Sequence, residues 1–260
     1  MKKTIYSLLA TLIMACTVEC SAQTVSGNKD GHDYVDLGLP SGRLWATCNV
    51  GASKPTEYGD YFAWGEIQPK EDYVWSTYKY VLKDYQVLGD SLACLGIDKY
   101  TVVDSATNIV DSVLWYTKKG NFIGDNIKIL EAKDDAATAN WGIEWRMPTW
   151  QDLKELMYGC KWKWTNNFKR SGIAGFKGVS KKNGNIIFLP AAGYRSGYSS
   201  FYKEEDIGLH NGGKRGYYWS SSLYGDYSLV SYSLNFFSDN FFHDEKDRST
   251  GLSIRAVVNN

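Results

Sequence analysis

The sequence predicts an exported α+β domain built on a twisted antiparallel sheet with two helices and long loops. Aromatic residues make up 15% of the chain, and 19 tyrosines, 10 tryptophans and 25 glycines are typical of loop-rich β-containing domains rather than helical bundles. Apolar and polar residues alternate in several short runs, which is the period of a half-buried strand. Helix signals are confined to residues 134–159.

The first 22 residues have the layout of an export signal. Lys2 and Lys3 precede an apolar run, and small residues precede Gln23. The run is shorter than the roughly 20 apolar residues of a membrane helix, so we expect no transmembrane span. The protein is expected at the cell surface, associated with the outer membrane, or secreted. Two processing routes stay open: cleavage after Ala22, and lipid attachment at Cys16 in a lipobox-like Ile-Met-Ala-Cys sequence.

Beyond this signal, residues 23–31 are a short linker and residues 32–258 form one domain, with an irregular insertion near 81–130. The chain has 29 basic residues (lysine and arginine) and 29 acidic residues (aspartate and glutamate). This balance does not favour nucleic acid as a partner. Cleavage after Ala22 leaves Cys48, Cys94 and Cys160. Export permits a disulfide, and we expect it between Cys48 and Cys160. The alternative is that all three are small buried hydrophobes.

Several elements can be placed in chain order. Residues 35–48 read as a hairpin around Pro-Ser-Gly, and residues 57–66 as a buried loop or short strand. Asp134 or Asp135 is expected to cap a short helix. Thr149 caps a second helix that ends near Gly159. Arg146, between the helices, is expected to bond backbone carbonyls or stack on an indole.

The last forty residues contain two alternating runs. In residues 230–236, Val, Tyr, Leu and Phe alternate with Ser and Asn, and residues 252–257 alternate again. The segment between the runs is rich in Phe, Asp and Asn, a mixture too polar for a core and too aromatic for an idle loop. Such mixtures suit recognition surfaces. The alternative interpretation is a twisted hairpin with exposed aromatic residues.

Six motifs in order carry a resemblance to a known family. The motifs that carry the resemblance are HDYVDLGLPSG with LWATCNVGA, EYGDYFAWGE, DDAATANWG, WRMPT, IFLPAAGYR and YYWSSS. Through them the chain resembles the Fibrobacter succinogenes major paralogous domain (FISUMP) family over residues 32–257. The resemblance implies an exported, Bacteroidetes-type surface domain with a fold similar to C-type lectin-like and formylglycine-generating-enzyme-like domains. Residues 81–130 depart from the family pattern, and Ala256 stands where proline is common.

The resemblance also divides the terminal region into framework and ligand-contacting positions. The expected framework is Trp219, Ser220, Ser221, Ser222, Leu234, Phe236, Gly251 and Arg255. The expected ligand-binding residues are Tyr224, Asp226, Tyr227, Phe237, Asp239, Asn240, Phe242 and Asp244. The last five are expected to project to solvent.

These expectations combine into a non-catalytic binding module. It would act as an adhesin or fimbrial-tip-like component that recognises a glycan or protein ligand, without a cofactor or an obligatory metal ion. The histidines His32, His210 and His243 lack metal-ligand spacing, and GxSxG and P-loop motifs are absent. The alternatives are a structural subunit of a surface assembly and, less favoured, a glycoside hydrolase with a carboxylate pair.

Overall fold

The computed structural model describes residues 23–81, 97–102, 125–197 and 208–259. The predicted signal, Cys16, Cys94 and most of the predicted insertion lie outside these residues. Within them, two α-helices and a set of antiparallel sheets form an α+β or mainly-β arrangement. No helix in these ranges is long and apolar enough to cross a membrane.

The first sheet joins the two ends of the described chain. Its strands are β1 (Gly27–Lys29), β2 (His32–Asp36), β3 (Leu44–Ala46), β4 (Trp145–Arg146) and β13 (Val257–Val258), in the spatial order β1-β2-β3-β13-β4. The predicted N-terminal hairpin is confirmed, since Val35 pairs with Trp45 between β2 and β3. Val257 in turn pairs with both Trp45 and Arg146, so the C-terminal strand closes the sheet.

Eight further strands form three smaller sheets. One contains β5 (Cys160–Thr165), β6 (Gly175–Ser180) and β7 (Ile186–Pro190), and another pairs β8 (Tyr194–Ser196) with β9 (Gly208–His210). The longest strands, β10 (Arg215–Tyr224), β11 (Tyr227–Phe237) and β12 (Asn240–Asp247), follow one another as a meander. We call this last group the terminal sheet.

The two helices begin where the sequence predicts. In α1 (Ala136–Trp141), the Asp135 side chain accepts a hydrogen bond from the backbone N–H of Thr138. In α2 (Trp150–Gly159), Thr149 and Asp152 form a reciprocal capping box. The structural role predicted for Arg146 is confirmed, because its guanidinium donates to the Met147 carbonyl and pairs with the Asp152 carboxylate, each at 2.8 Å.

The terminal sheet separates two hydrophobic cores. On β10, Tyr217 and Trp219 pack into one core, and Tyr218 between them packs into the other. Both faces of the sheet are therefore covered around Tyr217, Tyr218 and Trp219. For this reason Ser231 and Ser233, which the alternation placed opposite the apolar face, are fully buried rather than exposed.

Two features of the C-terminal region differ from expectation. The Phe- and Asp-rich segment is not a loop between two strands, because it forms β12 and pairs with β11 from Val230–Asp247 to Phe237–Asn240. Residues 252–256 do not pair with β11. They make single bridges, Leu252 to Phe62 and Ser253 to Tyr218, before β13 begins.

The predicted disulfide between Cys48 and Cys160 is not formed, since both residues are free thiols. Cys48 follows β3 and lines a surface pocket, whereas Cys160 is buried at the start of β5 in the core beneath α2. Burial raises the pKa of the Cys160 thiol to about 12. Its environment is that of a small core hydrophobe, which is the alternative that the sequence left open.

A buried arginine fixes the chain just after β12. The Arg248 guanidinium donates to the Tyr78 hydroxyl and to the carbonyls of Ser228, Tyr100 and Lys99, at 2.8 to 3.2 Å. It is fully buried, and four aromatic rings lie within 6 Å of it, those of Trp64, Tyr78, Tyr80 and Tyr100. This cage ties the end of the terminal sheet to the loops that precede the helices.

Candidate functional site

The predicted ligand-binding residues fall at both ends of the terminal sheet. Tyr224, Asp226 and Tyr227 surround the β10–β11 turn, whereas Phe237, Asp239 and Asn240 form the β11–β12 turn. Phe242 and Asp244 lie on β12. The eleven residues of β11 span about 35 Å, so the two turns cannot contact one small ligand together. The expected single surface is in fact two groups.

The first group belongs to a continuous row of four aromatic rings, which we call the aromatic strip. The Trp150 and Tyr232 rings stack with centroids 4.8 Å apart and planes within 7°. Tyr224 lies 4.6 Å from Tyr232, and Tyr227 lies 6.0 Å from Tyr224. Tyr227 is 51% exposed, and the other three rings are partly exposed. Mutually packed rings of this kind lose little conformational entropy when a ligand stacks on them.

Charged groups border the aromatic strip on several sides. The Lys154 ammonium lies 5.9 Å from the centre of the Trp150 ring. Lys128 pairs with Asp226 beside the turn. Glu245 is exposed and stands directly opposite Tyr232 in the β11–β12 register, which places both side chains on one face of the sheet. The strip thus combines apolar ring faces with donors and acceptors at its edge, as ligand sites commonly do.

The serines of the YYWSSS motif hold the strip in place. The Ser222 hydroxyl accepts a hydrogen bond from the backbone N–H of Trp150 at 3.0 Å, which docks the start of α2 on β10. The Ser220 hydroxyl donates to the carbonyl of Tyr232 at 2.9 Å. Trp219 is fully buried and donates its indole N–H to the Phe62 carbonyl at 2.8 Å. The framework role predicted for these residues agrees with their burial and contacts.

The second group is smaller. Phe237 and Phe242 meet edge to face with centroids 5.8 Å apart, and the Arg215 guanidinium lies 5.0 Å from the centre of the Phe237 ring. Both phenylalanines are partly buried, so they do not project fully into solvent as expected. Asp239 and Asn240 are exposed at the turn. These residues could contact a partner, but they present fewer rings than the aromatic strip.

A pocket of about 300 Å³ lies away from the terminal sheet. Among the residues that line it are His32, Asp33, Cys48 and Trp141. His32 stacks on Trp141 with centroids 3.9 Å apart, and burial lowers the pKa of its imidazole. Burial raises the pKa of the Cys48 thiol despite the nearby charge of Arg255, so this thiol stays protonated at neutral pH. It therefore lacks the thiolate character of an activated nucleophile.

The described residues contain no group of three or more His, Cys, Asp or Glu side chains that could hold a metal ion. Sequence reasoning missed Trp150, Tyr232, Lys154 and Arg215 as members of a surface site. Trp150 stood next to a helix cap, and Tyr232 belonged to an alternating run that indicated burial. Only the packing of α2 across the terminal sheet brings these two rings together.

Comparisons of the chain with protein-family models, curated proteins and solved structures each return no match. Membership of the FISUMP family therefore stays a prediction from the sequence motifs, and the function must be argued from the site itself.

Proposed function

We propose that the protein is an exported, non-catalytic binding module of the FISUMP family with a C-type lectin-like fold, and that it recognises a glycan or protein ligand at the cell surface. An adhesin or a fimbrial-tip-like component has this role. The observation that carries the proposal is the aromatic strip of Trp150, Tyr232, Tyr224 and Tyr227, with its charged border. The export signal and the family motifs support the location.

The geometry favours a ligand that presents a flat, weakly polar face. Sugar rings and proline or aromatic side chains stack on tyrosine and tryptophan while their polar groups reach the edge of the ring. Asp226, Glu245 and Lys154 supply acceptors and a donor at that edge. The strip is pre-formed by ring-to-ring contacts, and this reduces the entropic cost of binding.

Glycan and protein arrays probed with purified residues 23–260 test this proposal. Saturable binding to particular glycans or proteins is expected. Tyr227→Ala, at the exposed end of the strip, should weaken this binding by about 30-fold or more, the loss typical of a hot-spot residue. Phe242→Ala at the other end of the sheet is the matched control and should change affinity by less than about threefold.

Three outcomes would contradict the proposal in different ways. Loss of binding in Phe242→Ala alone would move the site to the β11–β12 turn. Unchanged binding in both variants would exclude the terminal sheet as the ligand surface. Association of the protein only with itself or with a sister subunit, without any array signal, would favour a structural subunit of a surface assembly.

A further inference from the structure

The charges of this chain balance overall but are unevenly distributed. Between Glu155 and Glu204 the sequence contains no aspartate or glutamate, and it contains nine lysines and arginines. Seven of the nine are concentrated in residues 161–182, which cover β5, β6 and their connections. They are Lys161, Lys163, Lys169, Arg170, Lys177, Lys181 and Lys182.

The strand register places three of these cations on one face of the sheet. Lys161 and Lys163 alternate with Trp162 and Trp164, which pack against the core on the inner face. Lys163 stands directly opposite Lys177 in the β5–β6 pairing, so both side chains point outward. Facing residues have Cβ atoms about 5 Å apart, and like charges directly opposite each other in a sheet are destabilising.

The other four cations extend the face at both ends of the strands. Lys181 and Lys182 follow β6, next to the start of β5. Lys169 and Arg170 follow β5 at its far end. Six residues of strand span about 20 Å, so the cations form a stripe at least that long. We call this surface the basic face.

Five cations of the basic face differ from most lysines elsewhere in the described chain, which have acidic partners. Lys29, Lys54, Lys70, Lys79, Lys99, Lys128 and Lys133 all form ion pairs. Within the same described ranges, Lys161, Lys163, Lys169, Arg170 and Lys182 take part in none of the ion pairs, and all five are exposed. Among the side chains that the structure describes, none therefore neutralises the positive field of these five by an ion pair.

We propose that the basic face binds a linear anionic polysaccharide, one that carries carboxylate or sulfate groups along its length. A row of exposed ammonium groups about 7 Å apart along a strand matches a ligand with repeated negative charges. This site is separate from the aromatic strip and does not depend on the function proposed for it.

Other polyanions fit this surface less well. Phe188 lies on the outer face of β7, but Phe168 stacks on it at 3.9 Å and both are buried. Neither of these two rings is therefore exposed for nucleobases to stack on. The outer positions of β5 are Lys161, Lys163 and Thr165. On the same face of β6 and β7, Val179 is partly buried and Ile186 is buried, so they offer no exposed apolar group for insertion among lipids. The cations of the edge strand β5 and of its flanking connections are best satisfied by a flexible hydrophilic chain with repeated negative charges.

Binding to immobilised heparin and to polygalacturonate, measured against neutral dextran, tests the proposal. The full mature chain should bind both polyanions and not dextran, and added salt should weaken the binding. The variant Lys161→Gln/Lys163→Gln/Lys177→Gln should bind roughly tenfold or more weakly, the loss expected from three exposed ion pairs. Lys29→Gln/Lys54→Gln/Lys133→Gln, which changes the net charge equally, should bind within about twofold of the parent.

A charge-conserving variant, with arginine at residues 161, 163 and 177, should retain binding. This control distinguishes whether the loss of binding in the basic-face glutamine variant is due to lost charge or to altered folding. Equal loss in the two glutamine variants would attribute the binding to net charge and overturn the proposal. So would parent-like binding in the basic-face glutamine variant. Tighter binding of duplex DNA or of anionic phospholipid vesicles through the same lysines would assign the face to another class of partner.

Discussion

Replacing Arg248 by methionine should destabilise the protein strongly. The substitution keeps much of the apolar stem and removes the guanidinium, which makes four hydrogen bonds in full burial. Replacing both partners of a buried ion pair by apolar groups often leaves protein stability unchanged, because both charges are removed together. Here the acceptors are three backbone carbonyls and a tyrosine hydroxyl, and these stay behind without their donor. Each buried acceptor without a donor costs about 1–3 kcal/mol, partly offset because no charge is buried any longer.

We therefore expect Arg248→Met to lower the free energy of unfolding by about 4 kcal/mol, near the cost of breaking a buried charged network. For a domain of this size, that corresponds to a fall in melting temperature of roughly 8–16 °C. Chemical denaturation followed by tryptophan fluorescence measures the effect directly. Arg170→Met, at an exposed position, is the control and should change stability by less than about 0.5 kcal/mol. Wild-type stability of Arg248→Met would show that the cage is not a net stabilising element.

Three further outcomes follow from the structure. Burial raises the pKa of five tyrosines by a large amount. Above the unfolded-state pKa near 10, each of them lowers the free energy of unfolding by about 1.4 kcal/mol per pH unit, so cooperative unfolding is expected near pH 11. Phenolate absorbance that rises well before the loss of tertiary structure would contradict this expectation. The five are Tyr61, Tyr78, Tyr80, Tyr100 and Tyr218. Trp219→Ala should lower the free energy of unfolding by about 3–5 kcal/mol, whereas Tyr227→Ala should change it by no more than about 0.5 kcal/mol. Equal losses in denaturant titrations would contradict the separation of framework and surface residues. Thiol alkylation followed by mass mapping should modify Cys48 in the native protein and Cys160 only after unfolding. Neither reaction should need prior reduction. A requirement for reduction would instead support a disulfide between the two residues.

The signs of the pH effect follow from proton binding. A buried tyrosine with a raised pKa stays neutral in the folded protein when the same residue ionises in the unfolded chain. The unfolded state then binds fewer protons, so stability falls as pH rises above 10. Tyr100 and Tyr218 have folded-state pKa values raised to about 12, which puts the loss between pH 10 and pH 12.

Local signals in the sequence predicted the elements that depend on local chemistry. The helix caps at Asp135 and Thr149 follow from side-chain oxygens that accept backbone N–H groups a few residues on. The hairpin of β2 and β3 follows from alternation around a turn. The buried framework, including Trp219 and Phe236, was identified through the motif resemblance and agrees with the burial of both side chains.

Features set by distant parts of the chain could not be predicted in the same way. The residues of β12 lack a clear alternation, and only pairing with β11 makes them a strand. The burial of Ser231 and Ser233 depends on a second core that covers their face. The division of the predicted ligand residues into two groups depends on the length of β11, since a long strand carries its two turns far apart.

The two buried arginines explain how an exposed aromatic strip can be rigid. Arg248 fixes the chain after β12. Arg255, just before β13, donates to the Asn49 side chain at 2.9 Å and to the Ala46 carbonyl. Between these anchors and the serines of β10, the terminal sheet has little freedom to move against α2, so Trp150 and Tyr232 stay stacked. Because binding to an ordered surface costs less entropy, affinity should depend on this framework as well as on the exposed rings. Loss of Arg248 should therefore weaken fold and ligand binding together, whereas truncation of Tyr227 should weaken binding alone.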